Sequence, residues 1–148
     1  MEQELPLLVV ATRNAHKTGE IRAMLAGKWE VKDLSDYPQA PPVDETGVTF
    51  TENATLKALS ASKCIPGVLL ADDSGLEIDY LNKEPGVYSA RYMGEHTDYH
   101  TKNASLIKRL EGVPDEKRTA RFVCAIAAAF PDGRVETVRG TMEGRIGY

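Results

Sequence analysis

Short apolar runs alternate with apolar positions at helical spacing along the whole chain. Leu7-Leu8-Val9-Val10-Ala11 is continuous and bounded by polar residues, the pattern of a strand buried on both faces in a parallel or mixed sheet. It gives way at Thr12-Arg13-Asn14 to Ile21, Met24 and Leu25 at helical spacing, with Gly27 placed to end the helix. A second strand is predicted over Trp29–Leu34. Ser35–Gly47 carries Pro38, Pro41 and Pro42 and predicts an ordered surface loop, not a domain linker. Thr49 and Glu52 match a capping box. The helix they open is predicted to reach about Lys63, with Ala54, Leu56, Ala58, Leu59 and Ala61 forming its apolar side.

Val68-Leu69-Leu70-Ala71 predicts another buried strand, one that stops abruptly at Asp72-Asp73-Ser74-Gly75. Leu76–Leu81 then alternates, so that segment has one wet face. A third helix is predicted from about Asp98 to Leu110. Thr119–Phe130 and Arg134–Met142 flank the turn residues Pro131-Asp132-Gly133 and predict an antiparallel hairpin. The predicted fold class is α/β, a mixed central sheet flanked by helices, in a single domain over residues 1–148. Ligands in such sheets collect beyond the carboxyl ends of the strands, which directs attention to Thr12–Lys17 and Asp72–Gly75.

Composition narrows the function classes. The 148 residues are 42% hydrophobic and 7% aromatic, enough for a sizeable core. Eighteen basic against 22 acidic residues give a net charge of −4, which argues against a general grip on nucleic acid. A small anion held by a few placed cations is compatible with that balance. The longest clean apolar run, Phe122–Phe130, is nine residues, well below the roughly 20 that span a bilayer. Cys64 and Cys124 are too few for a disulfide framework and read as small packed apolar residues. With an acidic N-terminus where a signal peptide would be basic, the expectation is a cytoplasmic protein with no membrane or nucleic-acid partner.

Thr12-Arg13-Asn14-Ala15-His16-Lys17 sits where a strand turns into a helix. Free N–H groups and the positive end of a helix attract anions, and Lys17 would add a full charge. The plainer alternative is that Asn14 is only a helix cap and Lys17 a solvated first-turn residue. Asp72-Asp73-Ser74-Gly75 concentrates carboxylates at the mouth of a buried strand. Both carboxylates face one ligand only if the chain turns there, which Gly75 would permit. Oxygen donors without convergent His or Cys suit a hard cation such as Mg²⁺, although Asp-Ser-Gly is also an ordinary turn. Glu45 offers a third carboxylate from the proline-rich loop. Lys57 is either a second phosphate cation or a snorkelling side chain, and Arg91 either meets an anion or stacks on a tyrosine. His16, His96 and His100 lack zinc-ligand spacing and read as surface residues.

Five stretches in order resemble the inosine/xanthosine triphosphate pyrophosphatases. They are Ala11–Lys17, Glu45–Ala54, Leu56-Lys57-Ala58, Ala71–Leu76 and Pro85–Tyr92. The resemblance implies an elongated, two-lobed α/β fold, a homodimer, Mg²⁺ dependence, and cleavage of ITP, dITP or XTP to the monophosphate and pyrophosphate. It also implies phosphate contacts from the Thr12–Lys17 stretch, chiefly Thr12, Asn14 and Lys17, with metal-associated carboxylates at Glu45 and Asp73, helped by Asp72. Asp73 would be the proton acceptor, and Ser74, with Lys57 and Arg91, would contact substrate. The family's Phe-Gly-Tyr-Asp and Ser-His-Arg stretches, which help hold the purine, do not occur before Tyr148. The chain is accordingly expected to lack a C-terminal part. Alternative readings are a Maf-like pyrophosphatase acting on pyrimidine or modified nucleotides, and a nucleotide-binding fragment without catalysis. A phosphomonoesterase is a third, but its usual Asp-x-Asp directly after a strand is missing.

Overall fold

The computed structural model describes residues 5–41, 43, 46–89, 92–94 and 97–148. It is a mixed α/β fold. The strands are β1 (Leu7–Val10), β2 (Glu30–Asp33), β3 (Val68–Ile78), β4 (Glu84–Pro85), β5 (Thr119–Ala129) and β6 (Val135–Arg145). The helices are α1 (Ala15–Met24), α2 (Phe50–Ser62) and α3 (Tyr99–Arg109). The sheet order is β2-β1-β3-β5-β6, with β4 pairing on β3. β1 runs parallel to β2 and β3, whereas β3 and β4 are antiparallel.

The chain divides into two compact units, Met1–Asp72 with Ala125–Val138, and Asp73–Cys124 with Arg139–Tyr148. In the first unit, Leu8, Val10 and Val31 form a buried cluster, against which Ile21, Leu25, Trp29, Val68 and Leu70 pack. α1 begins at Asn14, whose Oδ1 accepts from the N–H groups of His16 and Lys17 at 3.0 and 3.5 Å. α2 buries Phe50, Asn53, Ala54, Ala58 and Ala61. Leu56 and Leu59 are exposed, so the apolar side is narrower than the sequence predicts. The helix turns its small residues inward, where a bulkier contact face would stand it off. The Thr49 hydroxyl accepts from Glu52 N–H at 3.1 Å, but Glu52 reaches back to Val48 N–H at 2.8 Å, one residue beyond the usual capping-box partner.

In the second unit, Ile78, Leu81, Leu106, Leu110, Val113 and Ala120 make the core. The predicted hairpin is present. Phe130 N–H donates to Arg134 O at 2.8 Å near the turn, and Arg121 Nε meets Glu143 at 3.0 Å further along. Both contacts fit one antiparallel register. Burial alternates along β5, with Val123, Ala125, Ala127 and Ala129 inside. This places Cys124 on the outer face, and both Cys64 and Cys124 are exposed free thiols, a correction to their reading as packed residues. Phe122, in the same apolar run, is also exposed.

The larger correction concerns Asp72–Gly75. β3 continues through these residues to Ile78 with no break. Gly75 therefore serves a close approach. A Cβ there would collide with the Ser89 hydroxyl and lie 2.8 Å from Gly86 O, because the backbone after β4 packs directly on the strand. Among the described residues, no helix is long and apolar enough to cross a membrane.

Candidate functional site

Alternation along β3 puts Val68, Leu70 and Asp72 on one face and Leu69, Ala71 and Asp73 on the other. Val68 and Leu70 pack in the same cluster as Leu25 and Ile21 of α1. One helical turn before Ile21 stands Lys17, and one step beyond Leu70 on its face stands Asp72. The two meet. Lys17 Nζ donates to both carboxylate oxygens of Asp72, at 2.9 and 2.8 Å, and both side chains are partly exposed. The basic and acidic clusters that the sequence singled out thus join at one contact in the first unit.

Asp73 is buried on the opposite face, beside Leu69 and Ala71. The adjacent carboxylates therefore do not converge through a turn, contrary to expectation, because an extended strand sends successive side chains to opposite sides. Glu45 and Arg91 lie outside the described residues, as does His96. Among the described residues, no group of three or more His, Cys, Asp or Glu side chains is placed to hold a metal ion.

Thr12 and Asn14 act locally. Thr12 Oγ1 accepts from Asn14 N–H at 3.1 Å, and Asn14 caps the helix. Ala15 opens α1, and His16 is exposed on its first turn. Lys57 lies on the α2 face that also carries Ala54, Ala58 and Ala61, and it is half-buried. With Arg13 it lines a cavity of about 100 Å³ whose other walls include Ala11, Leu34, Ala40 and Pro41. Arg13 is steadied by a 3.4 Å bond to Ala40 O. Among the described residues, two cations and no acid line this cavity, a lining compatible with an anion. Ser74 is exposed and lines a separate cavity of about 400 Å³ within the second unit.

Two supports are hard to read from the sequence. Thr18 Oγ1 donates to Asp33 Oδ2 at 2.5 Å, and both residues are buried. Asp33 also accepts from the Ser35 N–H and hydroxyl. Burial acts to raise the Asp33 pKa, but the hydrogen bonds from Ser35 and Thr18, with Arg22 nearby, outweigh it and hold the carboxyl below its usual range. This network ties the end of β2 to the first turns of α1 and so fixes where Lys17 emerges. Asn53 is fully buried, and its Oδ1 accepts from Gly47 N–H at 2.8 Å. It anchors the loop two residues after Glu45. A polar residue at each of these helix-face positions was the one available signal.

The sequence profile of the Ham1 family matches residues 8–148. The chain is 51% identical over 142 residues to a dITP/XTP pyrophosphatase of Exiguobacterium sibiricum, covering 95% of this chain and 72% of that protein. It is 49% identical to the Geobacillus kaustophilus dITP/XTP pyrophosphatase, over 94% and 69% of the two chains. The solved structure of the Staphylococcus aureus Ham1 protein superposes with a TM-score of 0.87 at 37% identity, covering 95% of this chain and 72% of that one. A Mycobacterium abscessus nucleoside-triphosphatase / dITP/XTP pyrophosphatase gives 0.84 at 40% identity, over 94% and 72%. With matched sequence running through both units and the same fold at this level of identity, the chain belongs to the Ham1 family.

Proposed function

We propose that this chain is a nucleoside triphosphate pyrophosphohydrolase that converts ITP, dITP and XTP to the monophosphate and pyrophosphate, removing non-standard purines from the nucleotide pool. The relatives named dITP/XTP pyrophosphatase support the reaction class. The structural observation that carries it is the Lys17–Asp72 contact at the start of α1, with the Arg13–Lys57 cavity in the same unit.

Water attacks the α-phosphorus, the bond from that phosphorus to the bridging oxygen breaks, and pyrophosphate leaves. Asp73, buried on its face of β3, takes the proton of the attacking water. Lys17, Lys57 and Arg13 offset charge on the triphosphate, with Thr12 and Asn14 holding the turn that presents Lys17. The all-oxygen donor set fits Mg²⁺, which is satisfied by one or two carboxylates with water and phosphate oxygens. When bound it supplies charge neutralisation and polarises the attacking water. Asp73 and Glu45 are its proposed protein ligands. Asp72 takes that role only when Lys17 turns to phosphate, since the pair now occupies both its oxygens. Ser74 and Arg91 complete the substrate contacts. A homodimer and a cytoplasmic location accompany this reading.

The test is a product assay of this chain with ITP, XTP, dTTP, UTP and ATP in Mg²⁺. Pyrophosphate released from ITP and XTP in preference to the rest is the expected result. Orthophosphate as the sole product, or preference for the pyrimidines, refutes it.

A further inference from the structure

We infer that Asp33, the last residue of β2, is a positioning residue for triphosphate binding: through the Thr18 hydroxyl, and with Leu34 beside it, it fixes the Thr12–Lys17 turn in place before the ligand arrives. This rests on the pyrophosphatase reading, which gives that turn to the triphosphate, and names what holds it.

The turn leaves β1 at Thr12 and has joined α1 by Thr18, and two adjacent residues grip it at both ends. Leu34 N–H donates to Thr12 O at 3.0 Å. Asp33 Oδ2 accepts from Thr18 Oγ1 at 2.5 Å. Between these anchors Asn14 makes the inner bonds, its N–H to Thr12 Oγ1 and its Oδ1 from the His16 and Lys17 N–H groups. A second contact sets the register of the helix on the strand. Arg22, one helical turn after Thr18, donates to Val31 O at 2.9 Å, two residues before Asp33.

A buried carboxylate is a demanding way to dock a helix that Ile21 and Leu25 already pack against the sheet. Asp33 and Thr18 are 6% and 2% exposed, so the carboxylate must be met by hydrogen bonds, which the Thr18 hydroxyl and the Ser35 N–H and hydroxyl supply. What this arrangement adds over apolar contact is direction, because a hydrogen bond has one good geometry and apolar packing has many. The Thr18 hydroxyl has one proton and two acceptors in reach, Asp33 Oδ2 at 2.5 Å and Asn14 O at 3.2 Å. Asn14 O also receives the Thr18 N–H at 3.1 Å. The Asp33 link therefore ends on the residue that meets the cap of α1, next to Lys17. A turn already held this way binds an anion without first having to be ordered.

Calorimetric titration with inorganic triphosphate, which carries no base, tests this apart from turnover. Thr18→Val keeps the side-chain shape and removes the hydroxyl, and binding should weaken roughly threefold to tenfold, the range for ordering a loosened group on association. Asp33→Asn should stay within about twofold of wild type. There the Thr18 hydroxyl can reverse, accepting from the new amide and donating to Asn14 O. With ITP, Thr18→Val should raise KM by the same factor and leave kcat within about twofold. A role confined to stability would lower the melting midpoint of Thr18→Val and leave its triphosphate affinity unchanged well below that midpoint. That result, or Asp33→Asn weakening binding as much as Thr18→Val, overturns the inference. Should Thr18→Val not fold, hydrogen exchange on the wild type decides. Residues 16–18 should be as protected before triphosphate is added as after, and protection gained only on addition overturns it. Lys17→Ala separates this inference from the reading beneath it. Unweakened triphosphate binding in that variant removes the turn from phosphate binding, and the inference with it. Weakened binding there beside wild-type affinity in folded Thr18→Val removes the inference alone.

Discussion

Lys17 and Asp72 hold each other through both carboxylate oxygens, 55 residues apart in sequence. The pair is a consequence of packing. The β3 face bearing Val68 and Leu70 shares a cluster with Ile21 and Leu25 of α1, and Asp72 and Lys17, the next residues along those two faces, continue that alignment. A partly exposed pair of this kind contributes little to stability. Its value is in position, since it keeps the ammonium against the face of β3 with its charge balanced by Asp72.

Lys17→Ala should therefore act on substrate and leave the fold intact. KM for ITP should rise by roughly tenfold or more, as expected for losing a charged hydrogen bond to phosphate, with the thermal midpoint nearly unchanged. Steady-state kinetics beside a melting curve checks both. Unaltered KM and kcat would remove Lys17 from phosphate binding.

Asp73→Asn keeps the shape of a buried side chain and removes its ability to take a proton. Turnover of ITP should fall at least about a hundredfold, the usual contribution of a positioned base, while calorimetry still detects nucleotide binding. Unchanged turnover excludes Asp73 from that role.

Gly75→Ala tests the close approach at β3. The added methyl would overlap the Ser89 hydroxyl and stand 2.8 Å from Gly86 O. Ser89 is held there, accepting from Leu76 N–H at 2.9 Å and donating to Gly86 O at 2.6 Å, so it cannot step aside freely. A loss of about 1–3 kcal/mol is expected from such overpacking. Urea unfolding measures it, and an unchanged midpoint would show that the segment yields.

Arg118 is 2% exposed and donates to Leu110 O at 2.7 Å, Ile146 O at 3.1 Å and Gly147 O at 2.6 Å. Its guanidinium also lies 4.2 Å from the Tyr148 ring centroid. Arg118→Leu strands three carbonyls at once and should cost roughly 3 kcal/mol or more. Hydrogen exchange should show residues 146–148 losing protection first; retention of that protection would contradict the role.

Stability should fall in acid through Asp33. Its pKa is lowered in the folded state, so the unfolded chain binds its proton more readily. The contribution is present above the ordinary carboxylate range, near 3.8, and is lost as pH falls through the depressed folded value. Asp79 adds in the same direction, its pKa lowered by the Thr119 hydroxyl and by Arg121. Urea midpoints measured from pH 6 down to pH 3 should decline, and Asp33→Asn should flatten that decline. An identical slope in the variant would assign it elsewhere.

The order of elements, the three helices, the late hairpin and the two polar clusters were legible in the chain because each rests on local patterning. Apolar runs, the Asn14 and Thr49 caps and the Pro131-Asp132-Gly133 turn are properties of neighbouring residues. Tertiary structure decided what neighbours could not. An Asp-Asp-Ser-Gly run has the composition of a turn, yet pairing with the rest of the sheet held it as strand and sent Asp72 and Asp73 to opposite faces. Sheet alternation turned Cys124 and Phe122 outward from an apolar run. The Thr18–Asp33 bond and the Lys17–Asp72 pair each join residues by packing over long sequence separations. Sequence fixes which groups a segment can offer, and only the packed chain fixes which of them face each other.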